Sequence, residues 1–501
     1  MVKVKKKKRK LLCLILAVFL AMSAILSAAC AEKSGDGKPQ DNKDDSAAQD
    51  SNDSQETTEP ELLPELPEAD YGGYEFKVLT RGDEMHQYPL HSRDIVAEEE
   101  NGEPINDAVY KRNMIVEDMF NVKITMIALD EGDETRPNQA VKKAVAAGDD
   151  IYDLLMTHEI YSAPTAQSGY LMNMANIPYI DMSMPWWCKS ATDDLSFGNK
   201  IFLALSDFSV SSNDHAYIVL FNKVLHQEYA MENLYDLVRT NKWTFDKMYD
   251  LIKNSYKDLN GDGKMNENDL YGLILGGGQL NFFYAGGNTV MKKDEDNIPY
   301  YDIITERSIL TFEKAFDICI GEHAYSFTNW NDVKIPPMFA AGHGLLMTTQ
   351  IGIVPQLRDM DVDFGILPYP KLDETQPKYN EYVDGHAQLM AIPITVQDVD
   401  KIGAITEALS FYSRKYVVPA YYDINLKTKF SRDDESSEML DIVMDGRVFD
   451  FGYVYDNWVV AFKFADQINA KKREFVSIIE KNLPAAEKQL LKIIDAYDSI
   501  P

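Results

Sequence analysis

Cysteine is scarce in this 501-residue chain, with only Cys13, Cys30, Cys188 and Cys319. Beyond Cys30 two thiols remain, far apart in sequence. That spacing makes neither a disulfide framework nor a metal knuckle. One disulfide or two buried free thiols are left, and we read the second. Basic charge is also short, with 50 Lys and Arg against 80 Asp and Glu. Loss of the seven basic residues that precede Cys30 would take the formal charge from −30 to −37. A surface that acidic is repelled by phosphate backbones and anionic lipid, which excludes nucleic acid as a partner class. No Gly-x-Ser-x-Gly, His-Glu-x-x-His or phosphate-loop pattern occurs, which weakens enzyme readings built on them. No short-period repeat occurs either. Apolar content is not short: 45% of residues are hydrophobic, enough for a full core in two or more domains.

The long apolar run is confined to Leu11–Leu26, behind a basic block from Lys3 to Lys10 and ahead of Ser27-Ala28-Ala29-Cys30. Those are the parts of an export signal. A cysteine at the mature start resembles the lipobox of bacterial lipoproteins, although Leu26 stands four residues before it where that family places leucine three before. The resemblance implies a signal peptide over 1–29, lipidation at Cys30 and a protein held at the outer face of the cytoplasmic membrane. An uncleaved membrane anchor is the alternative, and lysines on the cytoplasmic side give the same orientation. Residues 30–70 are acidic, polar and Pro-containing, too poor in apolar side chains to offset chain entropy, and read as a solvated tether.

From Tyr71 the pattern changes. Tyr74, Phe76, Val78 and Thr80 alternate with Glu75, Lys77 and Leu79 as a strand. A helix follows with Asp107 as its cap and Val109, Val116 and Phe120 on one face. Then come a strand through Val122, Ile124 and Met126, a helix carrying Val141, Ala144 and Val145 and stopping at Gly148, and a strand at Asp153–Thr157. This rhythm predicts an α/β layer with a parallel core, in which ligands collect at strand carboxyl ends. Arg81, Thr157, His158 and Glu159 stand at those ends. A second region opens at Ile218–Phe221, with helices near Lys247–Tyr256 and Ile309–Phe316. A last helix is expected after Pro484, with Leu490, Ile494 and Tyr497 on one face.

Asp153–Thr157 leading into Ala166-Gln167-Ser168-Gly169-Tyr170-Leu171, then Phe221-Asn222-Lys223-Val224-Leu225, Met338–Gly344 and Asp363–Pro370, occur in the order found in another family. In that order they resemble extracellular solute-binding proteins of ABC importers, in the sugar-binding group that includes maltodextrin-binding proteins. The likeness spans roughly 71–465, with 83–103 and 420–470 as insertions. It implies an α/β, two-lobe, periplasmic-binding-protein-like (type II) fold with an interlobe ligand cleft. The lobe boundaries it implies are 71–210 and 363–416 for the first lobe, 211–362 and 417–501 for the second. It further implies a monomer that captures a carbohydrate, an oligosaccharide by preference, and hands it to importer membrane subunits without chemistry. An exported glycoside hydrolase, or an adhesin or peptide receptor on the same fold, are the alternatives.

Candidate ligand contacts are Trp186 and Trp187, since an indole offers a rigid face for a sugar ring, although adjacent side chains on a loop point in different directions. Trp330 and Trp458 are isolated tryptophans of the same type. Trp243, ahead of Thr244-Phe245-Asp246, reads as structural. His158, Glu159 and Asp214 offer hydrogen bonds to hydroxyls. Asp384-Gly385-His386 aligns with the family's hinge turn, where Gly385 lets backbone approach a ligand or simply turns the chain. One motif stands apart: Asp258, Asn260, Asp262, Lys264 (through its carbonyl), Asn266 and Asp269 fall at positions 1, 3, 5, 7, 9 and 12 of an EF-hand-type loop, with Gly263 at position 6. That spacing wraps Ca²⁺ as a structural ion.

Overall fold

A four-stranded and a five-stranded sheet organise the described residues, and the first follows from the strand–helix rhythm of residues 74–157. The computed structural model describes residues 62–82, 92–129, 134–326, 334–357, 360, 363–422, 433–456 and 458–500. The chain divides into two units, Met1–Glu61 and Leu62–Pro501. The first lies wholly outside the described residues, and with it the signal peptide, Cys30 and most of the tether.

In the first sheet β1 (Tyr74–Arg81) is central, between β2 (Val122–Leu129) and β3 (Leu154–His158), all parallel. Val78 and Leu79 are both fully buried because helices cover both faces of a central parallel strand. The helix Pro104–Phe120 carries the chain from β1 to β2. It lays Ile105, Val109, Val116 and Phe120 inward and stops at Asn121, whose φ of 50° is left-handed. Its cap is Glu103, not Asp107: the Glu103 carboxylate accepts from the amides of Ile105 and Asn106. Asp107 lies one turn in and accepts from Asn101 and Gly102 instead. The helix Arg136–Ala147 ends at Gly148 with φ 72° and leads to β3.

The second sheet is assembled from β4 (Tyr217–Asn222), β5 (Tyr271–Leu275), β6 (Ala324–Ser326), β7 (Gly344–Gln350) and β8 (Phe364–Leu367), in the order β8-β4-β7-β5-β6. β8 runs antiparallel to β4, with Phe364 opposite Asn222. This moves one boundary. Asp363–Leu367 belongs to the second sheet, so the chain returns later, through residues 381–387 into β9 (Gln388–Ala391), which pairs antiparallel with β3. The apolar run in Asp363–Pro370 signals a strand but cannot say which sheet accepts it.

After β9 the helix Val399–Tyr412 packs on the first lobe, and Asp434–Asp445 packs against β8. The last helix runs from Phe475 to Ser499, so Pro484 sits inside it rather than in its first turn. Phe475 stacks on Phe312 with centroids 5.0 Å apart, which fixes that earlier start by burial. At its other end Tyr497 lies against Phe202, also at 5.0 Å. Cys319 is a buried free thiol, whereas Cys188 is free but partly exposed. Trp243 is fully buried with its indole N–H on the Pro368 carbonyl at 2.8 Å.

Candidate functional site

The carboxyl ends of β1 and β3 deliver Arg81 and His158 to one place. Two strands of crossing chain run through it, residues 214–217 outward and 382–388 on the return. They pair with each other: the Asp384 amide donates to the His215 carbonyl at 3.0 Å, and Ala216 bridges Val383. From the first lobe, the Glu159 amide donates to the carbonyls of Gly385 and Ala387 at 2.9 and 3.0 Å. From the second, the Tyr217 hydroxyl reaches Asp384 at 3.3 Å. Tyr217 stands beside Gly277 and Gly278, just past the end of β5, and a Cβ on Gly278 would lie 2.7 Å from its ring. Both sheets therefore turn their strand carboxyl ends toward the same junction.

The junction is buried, polar and aromatic. Tyr217, Tyr382 and Tyr284 stack in turn with centroids 5.2 and 5.3 Å apart, and Tyr453 meets Tyr382 edge-on at 5.3 Å. The Tyr453 hydroxyl accepts from the Gly385 amide at 2.9 Å. Gly385 is needed for closeness: a Cβ there would meet Ile160 at 2.4 Å and the Tyr453 hydroxyl at 3.0 Å. Burial works to raise Asp384, but His386 beside it overrides and holds the carboxyl well below its ordinary range. In return Asp384 lifts the His386 imidazole above its ordinary value, against the effect of burial. Burial pushes His158 down to about 3, so it is neutral at pH 7. Burial, with Asp384 nearby, raises Glu159 well above the carboxylate range. Two buried polar atoms here have no protein partner among the described residues, Arg81 Nε and Glu159 Oε2.

Five of the ligand contacts expected from sequence come together at this place: Arg81, His158, Glu159, Asp384 and Gly385. The others do not. Thr157 turns into the first lobe, its hydroxyl accepting from Asn138 at 2.6 Å. Asp214 is engaged by Arg93 at 2.7 Å and the Tyr421 hydroxyl at 2.8 Å. Trp186 and Trp187 are 1% and 3% exposed, packed in the first-lobe core. Their indole N–H groups donate to the two oxygens of buried Glu407 at 2.8 and 2.9 Å, which corrects the reading of either as a cleft platform. Trp330 lies outside the described residues. Trp458 is 47% exposed, has a left-handed φ of 68° and stacks on Phe462 at 4.1 Å. Phe462 in turn lies 5.4 Å from Tyr453, so two ring contacts link the half-exposed indole to the junction. Glu134 and the four tyrosines carry no local motif, and the sequence reading missed them.

The loop 258–269 is closed by its own side chains. Asp258 accepts from the amides of Gly261 and Gly263 at 2.7 and 2.8 Å, and both glycines have positive φ. Asp262 Oδ2 lies 3.4 Å from the side-chain amide nitrogens of both Asn260 and Asn266, and the Lys264 carbonyl lies 3.0 Å from that of Asn266. Asp269 closes the loop by accepting from the Asn266 amide at 3.0 Å. Turning either asparagine amide over would present an oxygen to the same point. The donor set is all oxygen, as a hard cation needs.

No protein-family model and no curated protein matches this chain. Solved structures do match its fold. The ABC substrate-binding protein Lmo0181 from Listeria monocytogenes, in complex with cycloalternan, superposes with a TM-score of 0.51 at 14% identity, covering 84% of this chain and 99% of that one. A cyclo/maltodextrin-binding protein complexed with maltotetraose gives 0.52 at 12% identity, over 84% and 96%. The apo form of RafE from Streptococcus pneumoniae gives 0.53 at 13% identity, over 83% and 98%. The chain is similar to all three in architecture: a two-lobe α/β fold of the substrate-binding-protein type.

Proposed function

We propose that this protein captures a saccharide, an oligosaccharide by preference, at the junction of its lobes and hands it to the membrane subunits of an ABC importer. The observation that carries the reading is the buried junction. Crossing chain and the carboxyl ends of both sheets meet there, and Arg81 Nε and Glu159 Oε2 are left without protein partners. Such atoms cost about 1–3 kcal/mol each when unmet, and ligand hydroxyls would meet them. Trp458, half-exposed and joined to the junction through Phe462 and Tyr453, would offer its indole to the C–H side of a sugar ring. The fold's relatives that hold cycloalternan and maltotetraose make those two glucans the first probes. Closure follows from contact with both lobes, the differential contact by which a ligand shifts a population.

Calorimetry of the full chain with maltotetraose, cycloalternan and a wider oligosaccharide panel tests this. Saturable binding to at least one, weakened tenfold or more by Trp458→Ala with the melting temperature unchanged, is the expected result. Release of reducing ends during incubation would make the protein a hydrolase. No binding across the panel would sink the proposal.

A calcium ion held by Asp258, Asn260, Asp262, the Lys264 carbonyl, Asn266 and Asp269 is part of the same proposal. Bound there it would neutralise the loop's carboxylates and fix the loop ahead of β5. Lipidation at Cys30, tethering at the outer face of the cytoplasmic membrane, and a monomeric state rest on the sequence alone. Among the described residues no helix is long and apolar enough to cross a membrane.

A further inference from the structure

Glu134 stands two residues ahead of the helix Arg136–Ala147 and reaches into the junction. One carboxylate oxygen lies 2.8 Å from His158 Nε2 and 3.5 Å from an Arg81 terminal nitrogen, and the other lies 3.6 Å from His386 Nε2. The proton on each ring can be assigned from its other side. His158 Nδ1 accepts the Ile160 amide at 3.2 Å, so in the neutral ring the proton sits on Nε2 and points at Glu134. His386 Nδ1 faces the Asp384 carboxylate, which keeps a proton there, and its Nε2 faces Glu134. Arg81 spends one terminal nitrogen on the His386 carbonyl and leaves Nε without a protein partner. Donors from β1 and β3 thus converge on a single carboxylate, with the His386 ring of the return crossing alongside it at 3.6 Å. They are 3% exposed for Arg81 and 3% for His158.

We propose that this cradle of Arg81, His158 and His386 is a subsite for a carboxylate on the ligand, which makes the solute an acidic saccharide of the uronate class, and that Glu134 fills the subsite until the ligand displaces it. The inference rests on the saccharide-capture reading above and narrows it. Planar, charge-assisted bonding of a carboxylate is what a buried guanidinium does best. Glu134 precedes its helix rather than lying within it, so its side chain can leave without breaking an element. An internal carboxylate competes as a tethered group at an effective concentration of roughly millimolar, so its removal tightens an external one. The protein's net acidity does not oppose approach from afar, since screening confines the repulsion to about 8 Å at physiological salt.

The same three side chains, Glu134, His158 and His386, place ligand atoms within 4.8 Å of one another, which suits a transition-metal ion by distance. Two features favour the anion. The His158 Nε2 lone pair is taken up by its proton while Nδ1 accepts a main-chain amide, and the Arg81 guanidinium would repel a cation.

Calorimetry on the full chain decides it, using trigalacturonate, its fully methyl-esterified form, maltotetraose and zinc chloride. Trigalacturonate is expected to bind at least tenfold tighter than its ester. Glu134→Ala should raise the affinity ratio of trigalacturonate to maltotetraose at least tenfold, and Arg81→Ala should abolish the preference for acid over ester. Should Arg81→Ala fail to fold, Arg81→Lys, which keeps charge without the planar fork, should cut the preference. Equal affinity for acid and ester, or weaker trigalacturonate binding by Glu134→Ala, overturns the inference. So does one equivalent of zinc bound by the wild type and lost in His158→Ala. Binding of maltotetraose with none of trigalacturonate fails this inference alone, whereas no saccharide binding at all fails the capture reading with it.

Discussion

At the scale of single residues, Glu407 shows how a side chain's role is set by partners far away in sequence. It is 1% exposed and receives two indole N–H bonds, yet burial still pushes its carboxyl up to about 7. The native state therefore holds this proton more tightly than the unfolded chain does. The stability it contributes is complete below about pH 4.5 and is lost as pH rises through about 7. Urea unfolding of wild type and Glu407→Gln at pH 5 and pH 7.5 should show a steeper loss with pH for wild type. The amide accepts only one indole bond, so a constant offset is also expected and the slope is diagnostic. Equal slopes would mean Glu407 does not titrate in this range. Glu407→Ala leaves two buried indole donors unmet, at about 1–3 kcal/mol each. This explains why Trp186 and Trp187 misled: the pair sits on a loop just after Pro185, and the acceptor that draws both inward is more than 200 positions away. Arg81 and His158 were placed near one another for the opposite reason, because strand ends are local patterns, while Asp384 came from the resemblance of its turn to the family's hinge.

Elements were legible where their boundaries are set locally and less so where tertiary contact sets them. Gly148 and Thr244 ended and began helices where their chemistry says they should. Pro484 did not, because Phe475 on Phe312 buries a further two and a half turns, which outweighs a loss of about 3 kcal/mol for an internal proline. The loop 258–269 is the most self-contained element of all. Its turns are closed by its own aspartates, and its outer end is tied to the sheet by the Tyr271 hydroxyl on the Asn266 carbonyl at 3.0 Å. An ion there would stabilise the native chain by about 2.7 kcal/mol at a hundredfold excess over its Kd. Melting with 2 mM CaCl₂ against excess chelator should therefore show a clear drop on calcium removal, and Asp258→Ala should melt at the same temperature in both. A wild-type melting temperature indifferent to chelator, with no effect of Asp258→Ala, would leave the loop a plain polar turn.

For the whole molecule, the two-lobe plan was legible from the order of weak motifs, and the place of the return crossing was not. Strand β8 reads the same whether it ends one sheet or begins the other, and only its pairing with β4 decides. That pairing has a functional consequence. The crossing segments are bonded to each other at residues 215–216 and 383–384, so they form a joint that either lobe can turn about. The contacts that separate on opening are then those away from the joint, chiefly the helix Phe451–Tyr455 against Glu159–Gln167. Ligand that touches both sides should hold these surfaces together, whereas ligand seated on one lobe would leave the other free to swing. Amide hydrogen exchange on the full chain, with and without a saccharide found to bind, separates the two. Slowed exchange is expected on both surfaces, at residues 451–456 and at 160–163, while β4 and β1, already buried in their sheets, change little. Protection confined to one lobe would mean that the junction binds without clamping, and the protein would then present an importer with no change of shape to read.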